Sequence, residues 1–264
     1  GNSFDVKPGR DFNARYTLDY ILPRGLGQLS ASIFEFRRKA TGVFITPGFG
    51  TVLPHFVPAG FGTEVAEGII AKNSVALSQF DLQWAYPIQV TRRFVLTPGL
   101  GMRQARIRQV MGFTTFDPFP FVEVVGKRAS TTEGWGPKAM LAGTFNIWDT
   151  LNLQVGTTAG VLVGKTGSSF LGILTPPAFP DFDTVLRNQR RTVTFLDGEV
   201  ALSYAFTRPR ALRGLSLEVG YRVSTFLDAI TMFQFPDDVE DPEMTVNRRN
   251  ITFDSVFWKL KYVF

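Results

Sequence analysis

Cysteine is absent from the 264-residue sequence, and histidine occurs once, at His55. Without thiols the chain can form no disulfide framework and no thiolate metal site. The single histidine also excludes a histidine-rich metal site and, away from His55, a Ser-His-Asp triad. We therefore expect no cofactor, no metal centre and no enzymatic activity.

Long apolar runs are also missing. No segment approaches the roughly 18 consecutive apolar residues of a transmembrane helix, and the mean hydropathy is close to zero, at +0.05. No basic and apolar leader stands at the start, so we expect the sequence to begin after any signal peptide. The net charge of +5 comes from scattered lysines and arginines in runs of three at most, and nucleic acid is not an expected partner.

Alternation of apolar and polar residues with a period of two dominates the chain, as in β-strands that expose one face to an apolar medium. In the first such segment Tyr16, Leu18 and Tyr20 alternate with Arg15, Thr17 and Asp19. The pattern predicts nine strands, over residues 12–20, 29–36, 76–86, 94–103, 135–147, 151–163, 197–206, 215–224 and 256–264.

The connections between these strands alternate between short and long. Short turns are predicted near 23–27, 87–93, 148–150 and 207–214, and long loops at about 37–74, 112–132, 165–190 and 228–250. Membrane barrels have short periplasmic turns and longer outer loops. We therefore predict an all-β, transmembrane, antiparallel up-and-down β-barrel of the bacterial outer membrane, as a single domain over residues 1–264.

Aromatic residues make up 14% of the chain, and many stand near the ends of the predicted strands. Such positions are typical of the aromatic girdle at the lipid headgroups, whereas a soluble β-sandwich would bury the same residues in a core. The predicted girdle consists of Trp84, Tyr86, Trp148, Tyr204, Phe206, Trp258, Tyr262 and Phe264. The alternating ending from Val256 to Phe264 also resembles the carboxy-terminal signature that the barrel-assembly machinery recognises.

The number of predicted strands is odd. If the short turns are periplasmic, nine strands place the amino terminus of the barrel on the outer side, whereas bacterial barrels have an even number. We expect a further amino-terminal strand that this sequence does not contain, giving about ten with nine evident. A hairpin hidden within 37–74, where residues 43–45 and 65–70 are apolar, would add two strands and leave the number odd.

Four segments of the predicted strands have distinctive sequences, at residues 94–103, 134–139, 196–204 and 217–221. They resemble the pore-forming outer-membrane family typified by the Legionella major outer membrane protein, which has relatives among planctomycete barrels. Lys138 stands where the family has arginine in its Gly-x-Gly-Pro-Arg strand start. The resemblance runs from about Val6 onward, implies a strand before that point and a pore for small solutes, and supplies no catalytic residues.

The polar faces of the predicted strands carry charges of both signs, which we expect to point into the barrel. This lumen charge network comprises Arg15, Asp19, Asp81, Arg103, Lys138, Asp197, Glu199, Glu218, Arg222, Lys259 and Lys261. Because buried charges are costly without partners, we expect ion pairs across the lumen rather than acid–base catalysis by Asp197, Glu199 and Glu218. We predict a porin-like pore for small solutes. The alternative is a structural or interaction barrel with a lumen plugged by side chains, whose outer loops bind a partner protein, surface layer or lipopolysaccharide.

The predicted outer loops hold two further candidates. Asp237, Asp238, Glu240 and Asp241 form an acidic cluster that is either solvated or a weak Ca²⁺ site, since calcium prefers carboxylate oxygens. Phenylalanines gather in two loops and either bind a partner protein or lipid, including lipopolysaccharide, or fold back over the barrel mouth. They are Phe44, Phe49, Phe56, Phe61, Phe113, Phe116, Phe119 and Phe121.

Overall fold

The structure is a computed structural model that describes residues 14–45, 68–116, 123–175, 182–206, 215–234 and 245–262. Within them nearly every residue lies in a strand. The elements are β1 (Ala14–Ile21), β2 (Gln28–Ile45), β3 (Gly68–Ala85), β4 (Ile88–Gln89), β5 (Phe94–Phe116), β6 (Glu123–Trp148), β7 (Leu151–Thr175), β8 (Phe182–Ala205), β9 (Leu215–Gln234) and β10 (Thr245–Tyr262). A short 3₁₀ turn, Pro23–Gly25, joins β1 to β2. In these ranges no helix has the length and apolar character needed to cross a membrane.

All the strands belong to one antiparallel sheet. Each of the nine long strands pairs with the next one in the chain, in the order β1-β2-β3-β5-β6-β7-β8-β9-β10, and the two-residue β4 pairs with β5. A tight turn at Asp149 and Thr150 connects β6 to β7. The predicted all-β, antiparallel, up-and-down architecture is confirmed.

The sheet curls so that its first and last strands face each other. Cα atoms of β1 and β10 approach within 8 Å, the rings of Phe36 on β2 and Phe253 on β10 are 5.0 Å apart, and Arg38 Nη1 lies 3.6 Å from Asp254 Oδ1. Across the described residues no backbone ladder joins β1 to β10. Because nine antiparallel strands leave these two running in the same direction, an antiparallel ladder between them requires another strand, which stays a prediction.

The apolar side chains change from the outward face to the inward face along the strands. Toward the short turns, which are predicted to be periplasmic, the outward face is apolar, as at Leu100 (62% exposed) and Trp258 (61% exposed). Farther out, the inward face is apolar instead: Phe34 and Phe36 are buried inside the barrel, while Glu35 between them is exposed outside. The wall therefore has a lower zone that suits lipid and an upper zone that suits water.

The strands extend far into the ranges predicted as long loops, so those boundaries were wrong. β2 continues to Ile45 and pairs with β3 from Gly68 onward, so that residues 43–45 lie opposite residues 68–70; residues 65–67 lie outside the described residues. The other three predicted loops are likewise shortened by the outer halves of β5–β10. The predicted strands end too early because the prediction followed apolar residues on the outward face, and that face becomes polar farther out.

Candidate functional site

Five of the predicted lumen residues meet inside the barrel. They are Asp81 on β3, Arg103 on β5, Lys138 on β6, Asp197 on β8 and Arg222 on β9, all buried; together they are called the ionic layer below. Alternation points each of them inward, and the curled sheet brings strands that are not neighbours within reach of one another.

Arg103 is the centre of the ionic layer. Its Nε donates to Asp81 Oδ1 at 2.7 Å, and its Nη2 donates to Asp81 Oδ2 at 3.0 Å. The same Nη2 lies 2.7 Å from Asp197 Oδ2 on β8. Since three strand-to-strand steps separate β5 from β8 around the wall, these contacts cross the lumen. Two-pronged arginine–carboxylate pairs are among the strongest charge-assisted hydrogen bonds.

The two other cations complete the ionic layer. Arg222 Nη2 donates to Asp197 Oδ2 at 2.7 Å. Lys138 Nζ lies 3.3 Å from Asp81 Oδ2 and donates to Gln83 Oε1 at 2.8 Å. Three cations thus share two carboxylates, and paired partners offset the cost of burying them.

The other predicted lumen charges lie outside the ionic layer. Arg15 Nη1 is 2.9 Å from Glu199 Oε2, and both side chains are partly exposed. Asp19 is half-buried and Glu218 buried, and Glu218 stands opposite Lys259 in the β9–β10 register. Lys261 belongs to β10, but its side chain lies outside the described residues.

An apolar cluster that the sequence reasoning missed fills the barrel on the outer side of the ionic layer. From Asp81 the inward face of β3 continues outward to Leu77, and from Arg103 that of β5 continues to Ile107. The cluster, called the apolar layer below, comprises Phe34, Phe36, Val75, Leu77, Ala105, Ile107, Leu162, Val193, Phe195, Phe226, Ala229, Ile230 and Phe253, none more than 7% exposed. Its sequence signal was the alternation of Phe34 and Phe36 with Glu35 and Arg37, which places charge outside and apolar residues inside.

Aromatic rings tie the two layers together. The guanidinium carbon of Arg103 lies 4.1 Å from the ring centre of Phe195, within cation–π distance. Phe195 is 6.0 Å from Phe226, and Phe226 is 5.9 Å from Phe253 in an edge-on arrangement. The rings therefore continue the cross-lumen contacts outward from the ionic layer.

The outer ends of β9 and β10 fold into the barrel. The β8–β9 ladder ends at Phe195 opposite Phe226. There Asp228 takes a positive φ of 55°, and its N–H donates to Asn250 Oδ1 at 2.9 Å. Positive φ is uncommon outside glycine but more accessible to Asp. Residues 227–234 and 245–249, called the inner hairpin below, continue from this bend.

Contacts with β6 hold the inner hairpin inside. Thr132 Oγ1 donates to the carbonyl oxygen of Ala229, and Thr231 N–H donates to Ser130 Oγ at 3.2 Å. Ala229, Ile230 and Thr231 are at most 2% exposed. The inner hairpin thus covers the apolar layer from the outer side.

The predicted girdle residues with described side chains lie on the outward face or beside it. Trp84, Tyr86, Trp148, Tyr204 and Trp258 are each at least 42% exposed, and Phe206 packs edge-on against Tyr204 at 5.2 Å. The side chain of Tyr262 and all of Phe264 fall outside the described residues. Trp135, which was not assigned to the girdle, is also outward and 63% exposed.

The residues predicted to lie in outer loops are only partly among the described residues. Phe113 was predicted in an outer loop, but it lies on β5 with its side chain inward and buried, because the strand continues past the predicted boundary. Phe44 and Phe116 belong to β2 and β5, with side chains outside the described residues. Phe49, Phe56, Phe61, Phe119 and Phe121 lie outside them altogether, as do Asp237, Asp238, Glu240 and Asp241. The described residues contain no group of three or more His, Cys, Asp or Glu suited to a metal ion.

One comparison with known proteins gives a match. The model of the family described as Legionella pneumophila major outer membrane protein precursor matches residues 28–264, which confirms the resemblance found in the sequence. No curated protein and no solved structure matches the chain.

Proposed function

The chain belongs to the Legionella major outer membrane protein family, and on that premise we propose that this outer-membrane β-barrel is a closed structural barrel rather than an open pore. The observation that carries the proposal is the apolar layer. Ile107, Phe195 and Phe226 point inward from three strands and are each 0% exposed. An eight-stranded barrel is just filled by its side chains, and the nine long strands here are close to that size.

The ionic layer supports the same proposal. An open, selective pore usually lines its constriction with charges of one sign that face water. Here Arg103 and Asp197 are paired and have at most 6% of their side chains exposed. Such pairs hold strands together across the lumen instead of attracting a passing ion.

In this proposal the lower outward face contacts lipid. Leu100, Val200 and Tyr221 are exposed there, and the girdle aromatics flank the periplasmic turns. We also infer that β10 is the strand recognised by the barrel-assembly machinery, since Val256 and Trp258 are exposed on its outward face.

Planar-bilayer recording tests the proposal. We expect the purified, refolded wild-type barrel to give no stepwise conductance across a range of salt and voltage. A large porin refolded in the same way serves as the positive control. Reproducible steps of one size from the wild-type protein would contradict the proposal.

A porin-like pore for small solutes is the second candidate, and the inner hairpin favours it. In the described part of β8, residues 182–194 pair with β7 and have no ladder with β9. An inner hairpin that swung out onto this edge would take Ala229 and Ile230 out of the lumen. If this candidate is correct, the double variant Ser130→Ala and Thr132→Val conducts more often than the wild type.

A further inference from the structure

A groove of about 800 Å³ lies on the outward face of β5–β8, away from the lumen. Arg106, Glu133 and Lys165 provide its charged side chains, and Trp135 lies at its periplasmic side. It is called the outer groove below. The outward position Gly167 has no side chain to fill it.

The charges of the outer groove form one row across the strands. Arg106 stands opposite Glu133, Glu133 opposite Lys165, and Lys165 opposite Arg190. All four are exposed. Three cations thus accompany one carboxylate, and Lys165 and Arg190 are like charges directly opposite each other, a destabilising arrangement in a sheet. A bound anion would relieve that repulsion.

The Glu133 carboxylate does not neutralise the three cations of this row. Arg106 Nε is 3.8 Å from Glu133 Oε2, with side chains 61% and 52% exposed. An exposed pair at that separation contributes little stability. Arg106 therefore stays available to an outside ligand, together with Lys165 and Arg190.

The row marks the boundary between the two zones of the wall. The next outward positions toward the periplasm on β6 and β7 are apolar: Trp135 is 63% exposed and Val163 is 53% exposed. Tryptophan is enriched where hydrocarbon meets headgroups. A ligand in the outer groove would thus have acyl chains along Trp135 and Val163 and a negative group at the row above.

We propose that the outer groove binds a phosphorylated glycolipid of the outer leaflet, the chemistry of lipopolysaccharide. Its phosphate would accept hydrogen bonds from Arg106 and Lys165, with Arg190 adding positive charge, and an acyl chain would cover Trp135. Arginine is suited to phosphate because its planar donors match two phosphate oxygens at once. The proposal rests on the outer-membrane location and holds whether or not the lumen conducts.

Lipid binding by the detergent-refolded barrel, followed by native mass spectrometry, tests the proposal. The lipid moiety of lipopolysaccharide is titrated in its phosphorylated and dephosphorylated forms. We expect the double variant Arg106→Gln and Lys165→Gln to weaken binding of the phosphorylated form roughly tenfold or more, since each basic residue near a lipid surface attracts anionic headgroups. The control, Lys39→Gln with Lys127→Gln, removes the same charge from exposed outward positions nearer the loops and should leave binding unchanged.

Three outcomes would overturn the proposal. The first is equal binding of the phosphorylated lipid to wild type and to the Arg106 and Lys165 double variant. The second is equal affinity of the wild type for the two lipid forms. The third is competition by soluble glucosamine 1-phosphate as effective as that by the lipid. Retention of heat-modifiable gel mobility in both double variants shows that the barrel has folded.

Discussion

At the scale of single residues, Arg103 is the side chain on which most of the buried charge depends. It contacts both Asp81 and Asp197, and its guanidinium carbon is 4.1 Å from the Phe195 ring centre. Its loss would remove the two-pronged pair with Asp81 and leave Lys138 and Arg222 as the cations beside the two carboxylates. Buried carboxylate oxygens that lose hydrogen-bond donors destabilise the fold.

We expect Arg103→Met to lower the free energy of unfolding by about 1–3 kcal/mol, because it removes hydrogen-bond donors from two buried carboxylates. Urea titration in lipid vesicles, followed by tryptophan fluorescence, measures the change. The control is Arg108→Met on the same strand, whose side chain is outward and exposed, and a change below about 0.5 kcal/mol is expected there. Equal effects of the two substitutions would show that the Arg103 contacts contribute no special stability.

At the scale of elements, the sequence predicted the existence and order of the strands better than their ends. Alternation locates β1, β5 and β7 because Tyr16, Leu100 and Val155 face lipid, which gives a period of two with large apolar side chains outside. Beyond Glu35 or Arg106 the period of two persists, but the apolar residues move to the inside. A prediction that follows only outward apolar residues therefore ends each strand at the boundary between the two zones of the wall.

Contacts across the lumen could not be predicted from the alternation of apolar and polar residues. The pattern shows that Arg103 and Asp197 point inward, but not that they meet across three strand-to-strand steps. The bend at Asp228 also has no pattern of its own. The glycine-rich motif before Lys138 has a structural reason that the sequence does not show. A Cβ on Gly136 would lie within 3 Å of the Val161 backbone, so β6 and β7 need glycine where they approach closely.

The inner hairpin makes a prediction at this scale. In the double variant Ser130→Ala and Thr132→Val, Thr231 N–H and the Ala229 carbonyl oxygen lose hydrogen-bond partners in a buried site, at a cost of about 1–3 kcal/mol each. We expect faster amide hydrogen exchange in residues 227–234, with exchange in β3 unchanged.

The matched control for the inner hairpin is Thr131→Val, which lies between the two substituted positions and faces the other side of β6. It should leave exchange at wild-type rates. Unchanged protection of residues 227–234 in the double variant would mean that the β6 contacts do not hold the inner hairpin.

At the scale of the whole molecule, the barrel is taller than a membrane requires. A transmembrane strand needs about 9–11 residues, whereas β6 has 26 and β7 has 25. The apolar outward face occupies the periplasmic part of these strands, and the charged row from Arg106 to Arg190 begins the remainder. The protein thus spans the outer membrane and continues beyond it as a wall with charged outward positions around the apolar layer.

Arginine substitutions on β8 test this placement of the membrane. Val200 is outward and 50% exposed within the apolar zone, so Val200→Arg should destabilise folding into vesicles by about 2–4 kcal/mol. Val185→Arg, on the same strand and outward at 57% exposed but on the outer side of the charged row, should cost about 0–1 kcal/mol. Equal penalties in an equilibrium refolding titration would place the boundary elsewhere.

The filled lumen is tested most directly by thiol labelling, because the natural chain has no cysteine. Ile107→Cys places a thiol in the apolar layer, and Arg108→Cys places one on the adjacent outward position. With a water-soluble, membrane-impermeant maleimide, we expect the Arg108 variant to react in the folded state and the Ile107 variant to react only after denaturation. Rapid labelling of the folded Ile107 variant would mean that water reaches the centre of the barrel, which contradicts a closed lumen.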